Sequence, residues 1–410
     1  MRPDARQVVA LDLGSSSVTV LVGEAGEDGR LRLRGSGIAE SKGFRKGALV
    51  HLSSAVEAIR QAVEAAEQSA HVPVEGAVVG VAGTHMRSLN GRGGVSLGPR
   101  PREVTPEDIR RAVAAARSIS LPPEQEMLHV LPQEFLLDQE KGIRDPLGLL
   151  GRRLEVNVHI VTAAATATQN LIAAVNRAGL VVQDTALESL MAAEACVTPD
   201  ERELGVVLVD IGGGSTDWIL FQQGAPRATG VVMVGGEHFT NDIAIGLRTP
   251  LWEAERIKRA YGCASLRSVG QDSLLDIASM GERPARVTSR RALAEILEPR
   301  AREWAALLRN SLERDCGEAF PAAGVVLTGG GAQLEGLVEL TAHVLEAPAS
   351  LGLPRGMMGA NGTLSNPACA TAVGLLLHSD RLRRARARDN GGWVGRLRHL
   401  FTGRGWVVRG

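Results

Sequence analysis

The sequence predicts an α/β protein of two duplicated lobes, with an inserted α+β subdomain and a C-terminal amphipathic helix. Three observations carry that expectation. An Asp-led glycine turn between short apolar runs occurs twice, as Leu11-Asp12-Leu13-Gly14-Ser15-Ser16-Ser17 and as Asp210-Ile211-Gly212-Gly213-Gly214-Ser215-Thr216-Asp217. Laid over each other, Asp12 matches Asp210 and Gly14 matches Gly212, which points to an internal duplication. A third glycine turn, Gly329-Gly330-Gly331, follows a buried-strand pattern at residues 325–328. Finally, residues 84–160 break the alternation of strands and helices found on either side.

Each turn has a chemical use. Without Cβ atoms, backbone N–H groups can close on a bulky anion. Ser15, Ser16, Ser17, Ser215 and Thr216 add hydroxyl donors. Carboxylates beside such a turn repel a naked phosphate and tolerate one when a divalent cation lies between. The plainer reading is a glycine hairpin turn that binds nothing. Neither of the commoner phosphate signatures, Gly-x-x-x-x-Gly-Lys-Ser/Thr or Gly-x-Gly-x-x-Gly opening a helix, is present.

In order, residues 8–39 read as three short strands, and residues 53–69 as a helix with Ser53 as N-cap. Residues 77–81 are a strand. In the insertion, Thr105-Pro106-Glu107-Asp108 starts a helix, with Pro at N1 and an acid at N3. Strands follow at 127–130, 135–137 and 154–160, the first two separated by Pro132. Residues 167–178 form a helix stopped by Gly179. Residues 181–187 are a strand, and 189–196 a short Ala-rich helix leading to the second hairpin. After a strand at 228–234, residues 239–245 and 251–261 are helical, and 270–287 are loop and strand. A long amphipathic helix covers 291–315, a further helix opens at the third glycine turn, and a closing helix covers 367–377.

Composition narrows the class. Hydrophobic residues make up 44% of the chain, enough for ordinary cores, but aromatics only 3%, so packing rests on aliphatic side chains. The formal net charge of zero hides an asymmetry: residues 380–410 hold nine Arg against two Asp. The body is therefore acidic, which argues against nucleic acid, while the basic tail suggests an anionic surface. The scattered Cys196, Cys263, Cys316 and Cys369 suggest thiols in a reducing compartment rather than a disulfide frame or zinc site. The first strand starts by Val8, leaving no room for a signal peptide, and no apolar run approaches the ~20 residues of a spanning helix. A cytosolic protein, or one attached to a membrane from the cytosolic side, is expected.

Residues 380–392 read as a solvated, Arg-rich linker. Trp393, Leu397, Leu400 and Phe401 then fall at i, i+4, i+7 and i+8, with Val394 beside them and Arg396, Arg398 and Arg404 flanking. On an anionic bilayer each buried apolar side chain gains roughly 1.5–3 kcal/mol and each nearby Arg about 1 kcal/mol. That describes reversible surface anchoring. The alternative is a terminal helix docked on its own domain.

The three glycine turns, in this order, resemble those of the actin/Hsp70/sugar-kinase ATPase superfamily, whose lobes are ribonuclease H-like. The resemblance narrows to the FtsA family of bacterial cell-division proteins through His129-Val130-Leu131-Pro132-Gln133-Glu134-Phe135, Gly142-Ile143-Arg144-Asp145-Pro146-Leu147-Gly148 and Gly151-Arg152-Arg153-Leu154-Glu155. Asp200-Glu201-Arg202-Glu203-Leu204-Gly205 and Gly235-Gly236-Glu237-His238-Phe239 also match it. The resemblance covers nearly the whole chain.

It implies an actin-like fold divided into a first lobe core (1–83 and 161–205), an inserted subdomain (84–160), a second lobe core (206–232 and 291–379), a smaller subdomain (233–290), a linker (380–392) and a membrane-targeting tail (393–410). It also implies ATP and Mg²⁺. Gly14, Ser15, Ser16 and Ser17, with Gly212, Gly213, Gly214, Ser215 and Thr216, would form two phosphate loops. Asp12 and Asp210 would hold the metal mainly through water. Gly329, Gly330 and Gly331 would form the adenosine turn, and Gly236 would close the pocket.

Glu255 and Lys258 match a helix that reaches adenosine in relatives, or form a surface i,i+3 ion pair. Glu188 matches a water-orienting catalytic residue, or is a charge at a helix N-terminus. Ser17 stands where some members carry Lys. With no Lys or Arg evident near the phosphate loops apart from Lys258, tight nucleotide holding with at most slow hydrolysis is expected.

The implied role is a polymerising tether at the division site, on the cytoplasmic face of the inner membrane. It would bind the C-terminal peptide of the tubulin-like GTPase FtsZ on the smaller subdomain, other division proteins, further copies of itself and an anionic membrane surface. Competing readings are a small-molecule kinase, a chaperone of the Hsp70 type and a type IV pilus assembly scaffold of the PilM type. The kinase lacks an insertion to supply an acceptor pocket, and the chaperone lacks a peptide-binding β-domain. The pilus scaffold usually lacks the Arg-rich tail.

Overall fold

The computed structural model describes residues 6–270, 273–281, 283–316, 320–358 and 364–388. The hairpin Gln7–Leu13/Ser17–Ala25 sits inside a sheet ordered Val181–Leu187, Gly76–Val81, Gln7–Leu13, Ser17–Ala25, Leu31–Glu40, Met357–Met358. The hairpin Val206–Ile211/Thr216–Gln222 sits inside a second sheet ordered Ala225–Val232, Thr216–Gln222, Val206–Ile211, Val325–Thr328, Ala349–Leu351. In both, a third antiparallel strand flanks the hairpin on one side and two parallel strands flank it on the other. The duplication read from the glycine turns is therefore a duplication of whole sheets.

Between the sheets run the helices Glu188–Cys196 and Ala370–Arg388. Leu190, Met191, Leu375 and Leu376 from these helices pack with Val8, Ala10 and Leu21 of one sheet and Leu208, Ile219 and Phe221 of the other. The helices can approach because Gly374 faces Met191: a Cβ there would lie 1.8 Å from the Met191 carbonyl oxygen. Leu52–Ala70 covers the outer face of the first sheet, and Arg290–Cys316 that of the second. The inserted subdomain has a separate core, with Pro106–Arg117 against a sheet ordered Glu140–Ile143, Gln125–Leu137, Arg153–Ala164, Arg87–Ser96.

Several elements differ from the sequence reading. The helix expected at 53–69 spans Leu52–Ala70, and its N-cap is His51, whose Nδ1 accepts from the Ser54 N–H, not Ser53. Gln125–Leu137 is one strand running through Pro132. The register steps from Glu134 opposite Asn157 to Pro132 opposite Val158, and the bulge at Gln133 accommodates a residue without an N–H. The displaced Gln133 side chain then reaches the second lobe, donating to the Pro226 carbonyl at 2.9 Å. The third glycine turn opens a 3₁₀ turn, Gly330–Gln333, and the α-helix starts later, at Leu337–Leu345.

The linker expected at 380–392 is helical as far as residue 388, because the closing helix runs Ala370–Arg388. Three of its arginines have carboxylate partners. Arg383 and Arg384 bond Asp380 one turn back, and Arg381 reaches Glu194 on the neighbouring helix. Among the described residues no helix is long and apolar enough to cross a membrane. Trp393, Val394, Arg396, Leu397, Arg398, Leu400 and Phe401 lie outside the described residues.

Candidate functional site: a cleft floored by carboxylates

The two Asp-led turns meet between the lobes. In the first hairpin Asp12 pairs with Thr19, and in the second Asp210 pairs with Asp217. Local turn geometry is shared as well. A Cβ on Gly14 would lie 2.9 Å from the Ser17 carbonyl oxygen, and one on Gly212 would lie 3.2 Å from that of Ser215. The turns are in contact: a Cβ on Gly213 would fall 2.2 Å from Ser16 Oγ, and one on Gly214 would fall 3.0 Å from Ser15 Oγ. Side chains at 213 and 214 would push the lobes apart, so glycine here serves close approach rather than unusual dihedrals.

Below the turns lies a group of carboxylates. Burial raises Asp12 to about 7, with the charge of Asp210 adding to the effect. Burial also raises Asp210, against a hydrogen bond of 2.7 Å from Thr371 Oγ1 that lowers it. Asp217 is pushed up to about 7 by burial and by Asp210, although Ser215 Oγ and the Gly83 N–H donate to it. Glu188, the first residue of its helix, is raised well above the carboxylate range by burial, then by Asp12, Asp217 and Asp210. Asp12, Asp210 and Glu188 keep partial solvent contact, as groups on a cleft floor do, with protein on the remaining sides. Gly80 leaves room for Glu188, since a Cβ there would come within 2.8 Å of its side chain.

The third glycine turn caps one end of this floor. Gly329, at φ +83°, passes so close that a Cβ would lie 2.2 Å from Asp210 Oδ1, and Gly331 packs on Ile211. Gly330 has nothing nearer than 3.9 Å from its Cβ position, so its face is open. On the opposite wall, Gly236 opens the helix Gly236–Gly246, and its N–H donates to the Gly212 carbonyl at 2.9 Å. Lys258 Nζ donates to Gly236 O at 2.9 Å and Thr240 Oγ1 at 2.8 Å, and pairs with Glu255 at 2.6 Å. Burial opposes the Glu255 charge, but Lys258, Thr240 and Arg259 bring the carboxyl down to about 2. Glu255 and Lys258 are thus an ion pair fixed to the Gly236 turn.

Thr216 departs from the sequence reading. It is fully buried, donating to Val234 O at 2.7 Å and accepting from Trp304 Nε1 at 2.9 Å, so its hydroxyl serves the core. The reading that no Lys or Arg apart from Lys258 lies near the phosphate loops is also overturned. The Lys46 N–H donates to Ser15 Oγ at 2.9 Å, and Lys46 N and Cα lie 3.0 Å from the Gly214 Cβ position. Thr371 and Gly83 likewise join the site through contacts distant in sequence, Thr371 to Asp210 and Gly83 to Asp217. A Lys46-Gly47 dipeptide reads as a turn, but nothing in it points to residue 214.

Chemically, this floor suits a divalent cation held at one remove. Among the described residues no three His, Cys, Asp or Glu groups are placed to hold a metal directly. Two buried carboxylates, both raised by burial and Asp12 further by the charge of Asp210, fit an ion that keeps most of its waters, as Mg²⁺ does.

A family profile described as "Cell division protein FtsA" matches residues 207–374, and one described as "SHS2 domain inserted in FTSA" matches residues 83–162. The chain is 44% identical over 373 residues to the cell division protein FtsA of Pseudomonas aeruginosa, covering 91% of this chain and 89% of that one. It is 37% identical over 380 residues to that of Escherichia coli K12, covering 91% and 90%.

Among solved structures, that of the PilM–PilN type IV pilus biogenesis complex is similar with a TM-score of 0.66 at 20% identity, covering 91% of this chain and 98% of that one. MreB5 of Spiroplasma citri bound to ADP is similar with a TM-score of 0.56 at 13% identity, covering 95% and 100%. These likenesses show an actin-like fold and no more, so the pilus scaffold reading has fold support alone. Sequence identity decides the family: the chain belongs to the FtsA family of cell division proteins.

Proposed function

We propose that this cell-division protein binds ATP with Mg²⁺ between its lobes and polymerises beneath the membrane. In that state it tethers FtsZ filaments to the cytoplasmic face at the division site. The observation that carries the nucleotide reading is the meeting of two Cβ-free turns over the opposed carboxylates Asp12 and Asp210. The residues of the two turns would cradle the phosphates, Gly329 to Gly331 would face adenosine, and Gly236 with its Glu255–Lys258 pair would close the wall. Mg²⁺, held by Asp12 and Asp210 through its waters, would offset the phosphate charge. Glu188 lies where it could orient a water, and burial with the neighbouring carboxylates holds it protonated above the ordinary carboxylate range, so less of it is present as the charged base, in keeping with slow hydrolysis at most.

The division into two lobe cores, an inserted subdomain and a smaller subdomain at 233–290 belongs to the same reading. FtsZ's C-terminal peptide would dock on that smaller subdomain. Support comes from its exposed apolar side chains, with Trp252 66%, Leu251 58% and Leu274 78% exposed. The tail beyond residue 388 would supply reversible membrane affinity, which a filament multiplies by presenting many tails at once.

The test is co-sedimentation with anionic vesicles in Mg-ATP, with FtsZ added, for the full chain and for a chain ending at residue 388. The full chain is expected to pellet and to carry FtsZ down, and the shortened chain to leave both in the supernatant. Equal pelleting of the two forms would remove the tether.

A further inference from the structure

The hairpin Phe44–Arg45/Ala48–Leu49 turns at Lys46 and Gly47, both at positive φ (+53° and +74°), and this turn lies across the seam between the lobes. On the first-lobe side, the Lys46 N–H holds Ser15 Oγ at 2.9 Å, and the nearby Ser41 N–H donates to Ser16 O at 3.1 Å. On the second-lobe side, Lys46 N and Cα sit against Gly214, 3.0 Å from where a Cβ would be. Gly47 packs on Ala82 and Gly83, and the Gly83 N–H bonds Asp217. One short turn thus touches both glycine loops and, through Gly83, the carboxylate floor.

That placement answers an electrostatic need. The floor holds four carboxyl groups, and a triphosphate adds further negative charge. Lys258 is committed to Gly236 O, Thr240 and Glu255, so its ammonium already has its partners. Among the described residues, the Lys46 ammonium forms no hydrogen bond or ion pair. Its flexible four-carbon stem starts at the point where the two phosphate-cradling turns converge.

We propose that Lys46 binds the terminal phosphate of the nucleotide, supplying the cationic contact that neither glycine turn carries. The same contact would tie the 44–49 hairpin, and with it both lobes, to the presence of that phosphate. The proposal rests on the nucleotide reading above. Its signature is discrimination: a cation on the last phosphate strengthens ATP over ADP, whereas a structural turn residue affects both alike.

The experiment measures ATP and ADP affinity in Mg²⁺ by calorimetry for the full chain, Lys46→Gln, Lys46→Asn and Lys46→Arg. Thermal unfolding without nucleotide checks that each variant folds. Asn is included because it tolerates positive φ. Loss of one charge-assisted contact is expected to weaken ATP about tenfold or more while ADP changes less than about threefold, with Arg restoring most of the difference. In the unaltered protein, ATP is expected to shield Lys46 from amine acylation, read by mass spectrometry, and ADP to leave it reactive. Equal weakening of ATP and ADP, no weakening of either, or equal acylation with both nucleotides would overturn the role of Lys46. A wild-type chain that binds neither nucleotide would instead remove the nucleotide reading, and this proposal with it.

Discussion

Thr371 Oγ1 donates a hydrogen bond of 2.7 Å to Asp210 Oδ2, joining the first turn of the closing helix to the carboxylate at the centre of the cleft. The bond lowers the proton affinity of a group that burial raises. Replacing Thr371 with Val keeps the shape and removes the donor. Asp210 should then hold its proton to higher pH, and Mg²⁺-dependent ATP binding should weaken roughly three- to tenfold near neutrality, recovering at alkaline pH. Affinity measured against pH for the two proteins tests this. Parallel profiles would mean the bond is only structural.

The carboxylate floor sets a pH dependence of unusual sign. Asp12 and Asp217 titrate near 7 in the folded chain and in the ordinary carboxylate range once unfolded. Between those values the folded state binds more protons, so stability without ligand falls as pH rises from about 4 to about 7. Denaturant unfolding at about pH 5.5 and about pH 7.5 should show the loss, and Mg-ATP should reverse it at the higher pH.

Asp12→Asn separates stability from function. It removes one of the mutually repelling charges, so the ligand-free protein should gain on the order of 1–2 kcal/mol at about pH 8 and show a shallower pH slope. Mg²⁺-dependent ATP affinity should fall at least about tenfold. A variant that is both less stable and unchanged in affinity would contradict the placement of Asp12 on the cleft floor.

Gly374→Ala tests the close contact between the two inner helices. The new methyl would start 1.8 Å from the Met191 carbonyl oxygen, backbone that cannot rotate away. The helices must separate, at a cost of about 1–3 kcal/mol or more in chemical denaturation. Gly142→Ala, with nothing within 4 Å of its Cβ position but a φ of +76°, should cost about 1 kcal/mol, the strain of its backbone alone.

Trp252→Ala addresses the proposed FtsZ site. Trp252 is 66% exposed, so the fold should lose little stability. Affinity for the FtsZ C-terminal peptide should drop about tenfold or more, as for an aromatic anchor in an interface. Fluorescence anisotropy with labelled peptide reads it directly.

What could be read in the sequence followed the range of the interactions involved. Local chemistry was legible at Thr105, where Pro and an acid follow, and the structure has the full capping box there. Thr198-Pro199-Asp200-Glu201 carries the same signal and caps the helix Pro199–Leu204, which the sequence reading left out because that helix has only six residues and no apolar period. Pro132 read as a break because a bulge is invisible until the partner strand is known. The Arg-rich stretch after residue 380 read as solvated because Glu194, the partner of Arg381, lies far away in sequence. At the site, the repeated Asp-led turns exposed Asp12 and Asp210, since the two copies could be compared with each other. Lys46, Gly83 and Thr371 belong to no repeat, and folding alone brings them there.

The helix that carries Thr371 in its first turn runs 19 residues to Arg388, a length of about 28 Å. It is held in its second turn where Gly374 meets Met191, and near its middle where Arg381 grips Glu194. Such an element behaves as a stiff lever. A small tilt at the carboxylate end, where the nucleotide is proposed to sit, would become a larger swing at the end from which the proposed membrane tail departs, so the state of the cleft could steer how the body stands on the bilayer.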